Sequence, residues 1–406
     1  MAMPIEKIEV GFDLTSGTGP FLKLDDPVSG VLDDPDWTLG GTIFLDVTDR
    51  VRSFSVSRGR SSLFSSFPAG SVSILFNNHD RAFDPLYTAS PFNGNIIPKR
   101  EIRVSSGGVI QFTGSIDDWN LTYAPNGDSI AEAIAFDATG LLAGRTLALT
   151  TPAIQDSGAR VNSVLDTAGV NWPNDLRQID VGQAILSDFE IPQSTNALTY
   201  LQSVATTEAG NLFIGKTGKV VFQDRRKAAS SESLVTFGTG GVPFQNLEIV
   251  YGSENLYNEI VISREGGGTA TARDQNSIDE YGIRTLTQGN LLFSTDEQSL
   301  DLALNYAVEF SEPEYRFESL EIAMHKLDGD AQADIQGLEI GSICKVLFTP
   351  NNIGDEIIRF VEVIRIAQSV NPETHYVTLG FSSLDYAPLV LDDAEFGKLN
   401  SYSLSW

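Results

Sequence analysis

Residues 51–57, with the sequence VRSFSVS, are followed by residues 71–76, SVSILF, and together these runs carry the clearest period in the chain. In the first run Phe54 and Val56 alternate with serines, and the second run repeats the pattern. Successive side chains of a β-strand point to opposite faces, so this period places one face on a core and the other in solvent. The two runs therefore predict a pair of half-buried strands.

Further strands of the same kind follow at short intervals. Apolar alternation returns at 102–104, 109–112 and 130–136, and turns rich in Gly and Asn separate the runs. Several short strands at such spacing are typical of a barrel or a sandwich. We assign residues 46–150 to a first β domain, either a barrel or a sandwich, and residues 1–45, which are rich in Asp-Pro and Gly turns, to an N-terminal arm or hook.

The period changes after residue 150. Apolar residues between 161 and 168 lie at helical spacing, and a second helix is predicted to begin at Ser194 or Thr195. The buried stripe of this second helix is predicted to contain Ala197, Leu198, Leu201, Val204 and Ala205. A Gly-Lys-Thr-Gly turn at 215–218 then joins two short strands. We assign residues 151–235 to a small α+β insertion domain.

A third helix is predicted over about 295–311, with Ser294 or Thr295 as its cap and a proline shortly after its end. Its buried stripe is predicted to contain Leu300, Ala303, Leu304, Ala307 and Val308. Strands return around this helix, at 317–322, 343–348, 357–366 and 376–381. We assign residues 236–385 to a second β domain that includes the helix, and residues 386–406 to a C-terminal hook.

The two ends of the chain share a short pattern. Residues 22–32 and 389–399 both read L-x-L-D-D-x-x-x-G-x-L. The pattern is typical of a small hook around a tight glycine, and its place at both ends favours docking onto neighbouring subunits. A chance match between two turn-rich tails is the alternative interpretation. Whether the paired aspartates of these hooks hold an ion stays open.

The charge balance excludes some classes of partner. The 406 residues include 54 acidic and 27 basic side chains, for a formal net charge of -27. Tight binding to nucleic acid or to an anionic membrane needs a basic surplus, so both are disfavoured as bound partners. The N-terminus lacks the basic and apolar regions of a secretory signal, and no apolar run approaches the ~18 residues of a membrane span. We expect no membrane anchor and assembly in a cytoplasm.

Residue types that carry catalysis are sparse. The three histidines, His79, His325 and His375, lack the spacing of a metal-binding helix. Cys344, the single cysteine, lies inside an apparent strand, where a buried inert thiol is expected. Neither a nucleophile elbow nor a phosphate-binding loop occurs. We therefore predict no enzyme activity, no catalytic, cofactor-binding or metal-binding residues, and no cofactor.

Three other groups of residues have both a functional and a structural interpretation. Paired carboxylates fit a glycosidase or a Ca²⁺ site, but a solvated acidic surface is favoured because adjacent strand residues face opposite sides; the pairs lie at 25–26, 33–36, 117–118 and 392–393. A small arginine cluster is predicted to meet an acidic surface of a partner or of another copy: Arg50, Arg52, Arg58 and Arg60. Four tryptophans fit sugar stacking in an adhesin, although packing is favoured: Trp37, Trp119, Trp172 and Trp406.

The order of several motifs resembles the minor tail proteins of long-tailed siphophages, of the baseplate-hub or tail-hub type. The motifs are VSRGRS at 56–61, FPAGSVSILFNNHDRAFDP at 67–85, SPFNGNIIP at 90–98, FTGSIDDW at 112–119, TTEAG at 206–210, FQDR at 222–225 and SIDEYGIR at 277–284. Each motif alone is only moderately specific, and their order is much more so. The resemblance extends over about residues 20–385.

The resemblance implies a structural virion protein at the tail tip, a hub that joins the distal tail ring and tube to the tip fibre. It implies two tube-like β-barrels with small α+β insertions, in a homotrimer whose barrels form a pseudo-sixfold ring. The implied partners are the distal tail protein, the tape measure protein and the tip fibre, and DNA passes the lumen without specific binding. An acidic wall favours such passage. No hydrolase appendage is expected. The alternatives are a distal tail ring protein and a carbohydrate-binding receptor adhesin.

Overall fold

The structure is a computed structural model that describes residues 6–13, 42–227 and 234–384. Strands account for 43% of it and helices for 21%, so the protein is mainly β, as the alternating runs predict. The two hooks with the repeated pattern, at 22–32 and 389–399, lie outside the described residues.

The helices and strands follow one another along the chain in three groups. The first group is Glu6–Asp13 (β1), Thr42–Asp46 (β2), Val51–Gly59 (β3), Ser71–Asn77 (β4), Glu101–Ser106 (β5), Val109–Tyr123 (β6) and Ser129–Phe136 (β7). The second group is Thr139–Ala143 (α1), Thr146–Leu147 (β8), Gln155–Asp156 (β9), Ser157–Asp166 (α2), Arg177–Ile179 (β10), Ile185–Leu186 (β11), Thr195–Asn196 (β12), Ala197–Glu208 (α3), Asn211–Ile214 (β13) and Val220–Gln223 (β14). The third group is Val235–Gly238 (β15), Asn246–Gly252 (β16), Glu259–Arg264 (β17), Thr269–Arg273 (β18), Gln275–Tyr281 (α4), Thr285–Leu291 (β19), Asp296–Phe310 (α5), Glu314–Ala323 (β20), Gly329–Gly337 (α6), Ile343–Phe348 (β21), Ile357–Val370 (β22) and His375–Leu384 (β23).

One sheet of thirteen strands extends through both β-rich parts of the chain. Its order is β16-β20-β23-β22-β3-β4-β7-β6-β5-β1-β2, with β21 on the first half of β22 and β15 beside β21. Strands β3 and β22 are antiparallel, with Gly59 opposite Arg365 and Phe54 opposite Val370. The two predicted barrels thus share a sheet, and within the described ranges no closed barrel confirms them. Alternation predicts which side chains face a core, but it does not determine which strand edges pair.

The N-terminal segment is built into this sheet. Strand β1 lies between β2 and β5, and its apolar residues Ile8, Val10 and Phe12 are fully buried. Their alternation with polar residues is the same strand signal as in residues 51–57. Part of the region that the turn-rich composition assigns to an arm is therefore an interior strand.

Three hydrophobic cores lie under these elements. One core contains the inward face of β4, where Val72, Ile74 and Phe76 are buried as the alternation predicts. A second contains the inward faces of β20, β22 and β23. The third packs helices α2, α3 and α5 with small sheets. This third core contains residues from 142–222 and from 260–307. The domain division predicted from the sequence places these two ranges in different domains.

Helix α5 begins close to where the sequence predicts, but it turns a different face to the core. Thr295 caps it, with its hydroxyl accepting a hydrogen bond from the Gln298 N–H at 3.4 Å. The predicted stripe is wrong in part: Ala303 and Ala307 are buried, whereas three of its larger members are exposed, namely Leu300, Leu304 and Val308. The core side is completed instead by Leu302 and Phe310. Apolar residues cover more than half of this helix, so periodicity alone does not select the buried face.

Helix α3 forms with a shifted cap. Asn196, which follows the predicted caps Ser194 and Thr195, accepts a hydrogen bond from the Thr199 N–H at 3.1 Å. The helix ends on Ala209 in the left-handed conformation rather than on the following glycine. Its buried residues agree with most of the predicted stripe: Ala197, Leu201, Val204 and Ala205 are buried, together with Tyr200.

Candidate functional site: the junction of the three cores

The three cores meet where the end of β3, the β13–β14 hairpin and the segment between α6 and β21 come together. A small apolar cluster lies at this junction, formed by Phe67, Phe213, Val221 and Ile340. The rings of Phe67 and Phe213 are 5.4 Å apart between centroids. Each of the three cores has a neighbouring segment at this cluster. Buried and half-buried charged side chains surround it.

Arg58 and Glu339 form the first of these charged groups. The buried Arg58 guanidinium is paired with Glu339, and its hydrogen bond to the Ile214 carbonyl, at 3.4 Å, reaches the hairpin. Glu339 also accepts a hydrogen bond from the Lys216 N–H at 2.8 Å. The Lys216 ammonium donates to the carbonyls of residues 336–338 at 2.8–3.0 Å, at the negative end of helix α6. Burial lowers the pKa of Lys216.

Arg60, which directly follows β3, forms the second group. Its guanidinium lies 4.5 Å from the ring centroid of Phe67, a cation–π arrangement, and donates to Asn211 Oδ1 at 2.9 Å. Asn211 in turn donates to Glu362 Oε1 at 2.8 Å. Burial lowers the pKa of Arg60 and raises the pKa of Glu362, and the attraction between the two charges opposes both shifts. This second group joins β22 to the hairpin.

The arginine cluster predicted to face a partner is therefore used within the chain. Its other two members form surface ion pairs, Arg50 with Asp80 at 2.7 Å and Arg52 with Asp128 at 2.7 Å. Sequence reasoning missed these partners because they lie far from the arginines along the chain. The only signal was the alternation of β3, which puts Arg58 on the same side as the buried Phe54 and Val56.

A buried carboxylate, Glu208, anchors the third core. It accepts hydrogen bonds from Ser157 Oγ at 2.6 Å, from the N–H groups of Gln183 at 3.0 Å and Ala184 at 2.8 Å, and from Arg225 Nε at 3.2 Å. The side chain is fully buried, so these donors replace water around its charge. The glutamate belongs to the TTEAG motif, and here the motif fastens the end of α3 to two loops.

The histidines lie in two separate environments, because His325 and His375 are in contact and His79 is apart from them. His375 is buried, with its ring Nδ1 3.1 Å from Glu6 Oε1. The backbone N–H of His375 donates to His325 Nδ1 at 3.3 Å. His79 is exposed in a turn, 3.3 Å from Asp128. Among the described residues, no group of three or more His, Cys, Asp or Glu side chains is placed to hold a metal ion.

Cys344 and two of the tryptophans occupy packing positions. Burial raises the pKa of the Cys344 thiol to about 12, which makes it a poor nucleophile near neutral pH. Trp119 stacks on Phe83 with centroids 5.6 Å apart, and Trp172 donates to the Leu176 carbonyl at 3.2 Å. Among the acidic pairs, Asp117 forms an ion pair with Lys99 on the surface. The remaining tryptophans and most acidic pairs lie outside the described residues: Trp37, Trp406, 25–26, 33–36 and 392–393.

A small acidic cleft opens beside the junction, between β20, the end of α5 and the loop after β3. Four glutamates line it, together with Arg316 and apolar side chains: Glu254, Glu309, Glu314 and Glu318. Arg316 is buried and lies 3.1 Å from Glu254. None of the described helices is long and apolar enough to cross a bilayer.

Solved structures share the fold of this chain over nearly its whole length. No protein-family model and no curated protein matches the sequence. Among solved structures, the chain is similar to the tail protein from Neisseria meningitidis MC58, with a TM-score of 0.59 and 12% identity over 94% of this chain and 97% of that one. It is similar as well to the 43 kDa tail protein of prophage MuSo2 from Shewanella oneidensis, with a TM-score of 0.56 and 14% identity over 93% and 97%. The predicted resemblance to tail proteins is thus confirmed at the level of the fold.

Proposed function

We propose that this protein is the structural hub of a long, non-contractile phage tail tip. In this role three copies join the distal tail ring and tube to the tip fibre, contact the tape measure protein and line the DNA exit channel of the virion. One observation carries the proposal: the fold of two tail proteins extends over more than nine tenths of this chain and of each of theirs. The motif order quoted above supports the hub position within the tail.

The junction supports a mechanical role rather than catalysis. Buried ion pairs and hydrogen bonds connect all three cores, so a force on one unit reaches the others through side chains that have little freedom to move. The described histidines and the cysteine are occupied in packing, turns or strands, as a structural protein requires. We propose that the protein has no enzyme activity of its own and needs no cofactor.

The charge supports a place beside passing DNA. A net charge of -27 repels phosphates, so a channel wall made from this chain lets DNA slide without adsorbing it. The proposal retains two closed barrels per chain. Because the described strands do not close a barrel, closure requires contacts with residues outside the described ranges or with another copy. It also retains the division at 1–45, 46–150, 151–235, 236–385 and 386–406 as units of assembly.

Imaging of intact tailed particles from the host that carries the gene tests this proposal. Particles with an affinity-tagged chain are expected to show the label at the tail tip and three copies per tail in a threefold reconstruction. Six copies in a ring above the tip would identify a distal tail ring protein instead, and absence from the particle would contradict the proposal. Glycan binding by the isolated chain would favour a receptor adhesin. The packing of Trp119 and Trp172 inside the protein does not favour that role.

A further inference from the structure

Helix α5 carries an exposed apolar stripe. Leu300, Leu304 and Val308 follow one another at four-residue spacing, so they form one line of about 12 Å along the helix. They are 42%, 49% and 83% exposed, while Leu302 and Ala303 on the adjoining face are buried. We call these three residues the α5 stripe. A continuous apolar line on an otherwise well-packed helix is typical of an interface.

The surroundings of the α5 stripe are acidic. The helix contains no lysine or arginine, and Glu297 and Asp301 are exposed on the stripe's side. Neither carboxylate forms an ion pair or a hydrogen bond with any residue that the structure describes. A surface that covers the stripe must therefore be apolar and carry positive rather than negative charge.

The same chain presents such a surface on residues 141–154, which comprise the end of α1, strand β8 and the loop after it, and which we call the Leu141 loop. Its Leu141, Leu149 and Ile154 are 53%, 58% and 61% exposed. No acidic residue occurs between positions 137 and 156, although the chain has 54 of them. Arg145 is exposed at its centre, and its guanidinium has no ion-pair partner in the described ranges.

Both surfaces are held rigidly by one core. Buried Leu142 and Leu147 fix the Leu141 loop to the third core, and the N–H groups of Ser194 and Ala197 bond its carbonyls at 2.9 and 3.0 Å. The buried face of α5 belongs to the same core. Two preformed, complementary patches at different places on one rigid unit are what a head-to-tail contact between copies needs.

We infer that the α5 stripe of one copy docks on the Leu141 loop of a second copy, with Asp301 and Glu297 near Arg145 of that copy. A contact between two different patches repeats from copy to copy and closes a ring when the rotation permits. The inference deepens the proposed function and rests on it, because it assigns the surfaces through which a multimeric hub assembles. The expected contact is apolar at its centre and charged at its rim, so the charges set partner choice and register.

Charge exchange in the full chain tests the inference. Self-association is measured by sedimentation and native mass spectrometry over a concentration series, with thermal unfolding to verify the fold. Arg145→Glu and Asp301→Arg are each expected to weaken association about tenfold or more, because like charges then face each other across the contact. The double variant is expected to recover most of the wild-type affinity. The control variants Lys326→Glu and Asp330→Arg reverse the charges of exposed residues outside both patches. They are expected to leave association unchanged.

Several results would overturn the inference. They are a wild-type chain that stays at its 44.0 kDa monomer mass throughout the series, single reversals without effect, and a double variant as weak as the singles. Each of them is independent of the imaging experiment, because a chain located at the tail tip with these results has the proposed function and a different contact between copies.

Discussion

At the scale of single residues, Glu208 has the most demanding environment. Its fully buried carboxylate accepts five hydrogen bonds from three separate segments. Glu208→Gln keeps the shape of the side chain but replaces one carboxylate oxygen with an amide NH2 group. That group faces hydrogen-bond donors, which are then buried without an acceptor. We expect the free energy of unfolding of the third core to fall by about 2–4 kcal/mol. Urea unfolding monitored by circular dichroism measures the change.

The control for this substitution is Glu373→Gln, on an exposed turn before β23. Removal of a charge there is expected to leave stability within about 0.5 kcal/mol of the wild type. Equal effects of the two substitutions would show that Glu208 has no special role, and that its hydrogen bonds contribute no more than a solvated carboxylate does.

At the scale of elements, the pairing of β3 with β22 depends on Gly59. Its φ is +108°, and a Cβ at this position would lie 2.2 Å from the Ile364 carbonyl oxygen and 2.5 Å from Arg365 Cα. Both atoms are backbone, so the neighbouring strand has to move. We expect Gly59→Ala to destabilise the protein by about 2–4 kcal/mol in thermal unfolding.

Gly127→Ala separates the two causes of this loss. Gly127 also has a positive φ, +85°, but its Cβ would meet nothing within 4 Å. This variant carries only the conformational cost, about 1 kcal/mol. If Gly59→Ala were no worse than Gly127→Ala, the close approach of β3 and β22 would be contradicted.

The sequence predicts the elements better than their partners. Alternation in β4 and the run at 343–348 identify strands almost to the residue, because each has one face in a core. The predicted buried face of α5 is wrong in part because Leu300 and Leu302 are equally apolar, and only the sheet beneath decides which of them is buried. Arg58 reads as a surface cation because its partner Glu339 is distant in sequence and nothing local to Arg58 indicates it. The candidate site is made of such distant pairs, so it was not predictable as a site.

At the scale of the whole molecule, the junction couples the three cores. Arg58 and Glu339 belong to different β units, and Lys216 belongs to the hairpin between them. In a double-mutant cycle with Arg58→Met and Glu339→Gln, we expect a coupling energy of about 1–3 kcal/mol in the free energy of unfolding. Glu339→Gln leaves the buried Arg58 guanidinium without its counter-charge, Arg58→Met leaves the half-buried Glu339 carboxylate without its cation, and the double change removes both charges.

A surface pair provides the comparison for this cycle. Lys99 and Asp117 are bonded in the same way but are largely exposed, so the cycle with Lys99→Met and Asp117→Asn is expected to give a coupling near zero. A coupling for Arg58 and Glu339 as small as this one would mean that the junction joins the units by shape and not by charge.

The shared strand β22 also determines how an assembly of these chains deforms. Residues 54–59 are hydrogen-bonded to 365–370, so the two β units are joined edge to edge and not by a hinge at this point. Rotation of one unit against the other would first break a row of backbone hydrogen bonds. In the proposed ring of copies, the passage would therefore widen when whole chains move past one another, while the sheet within each chain keeps its curvature.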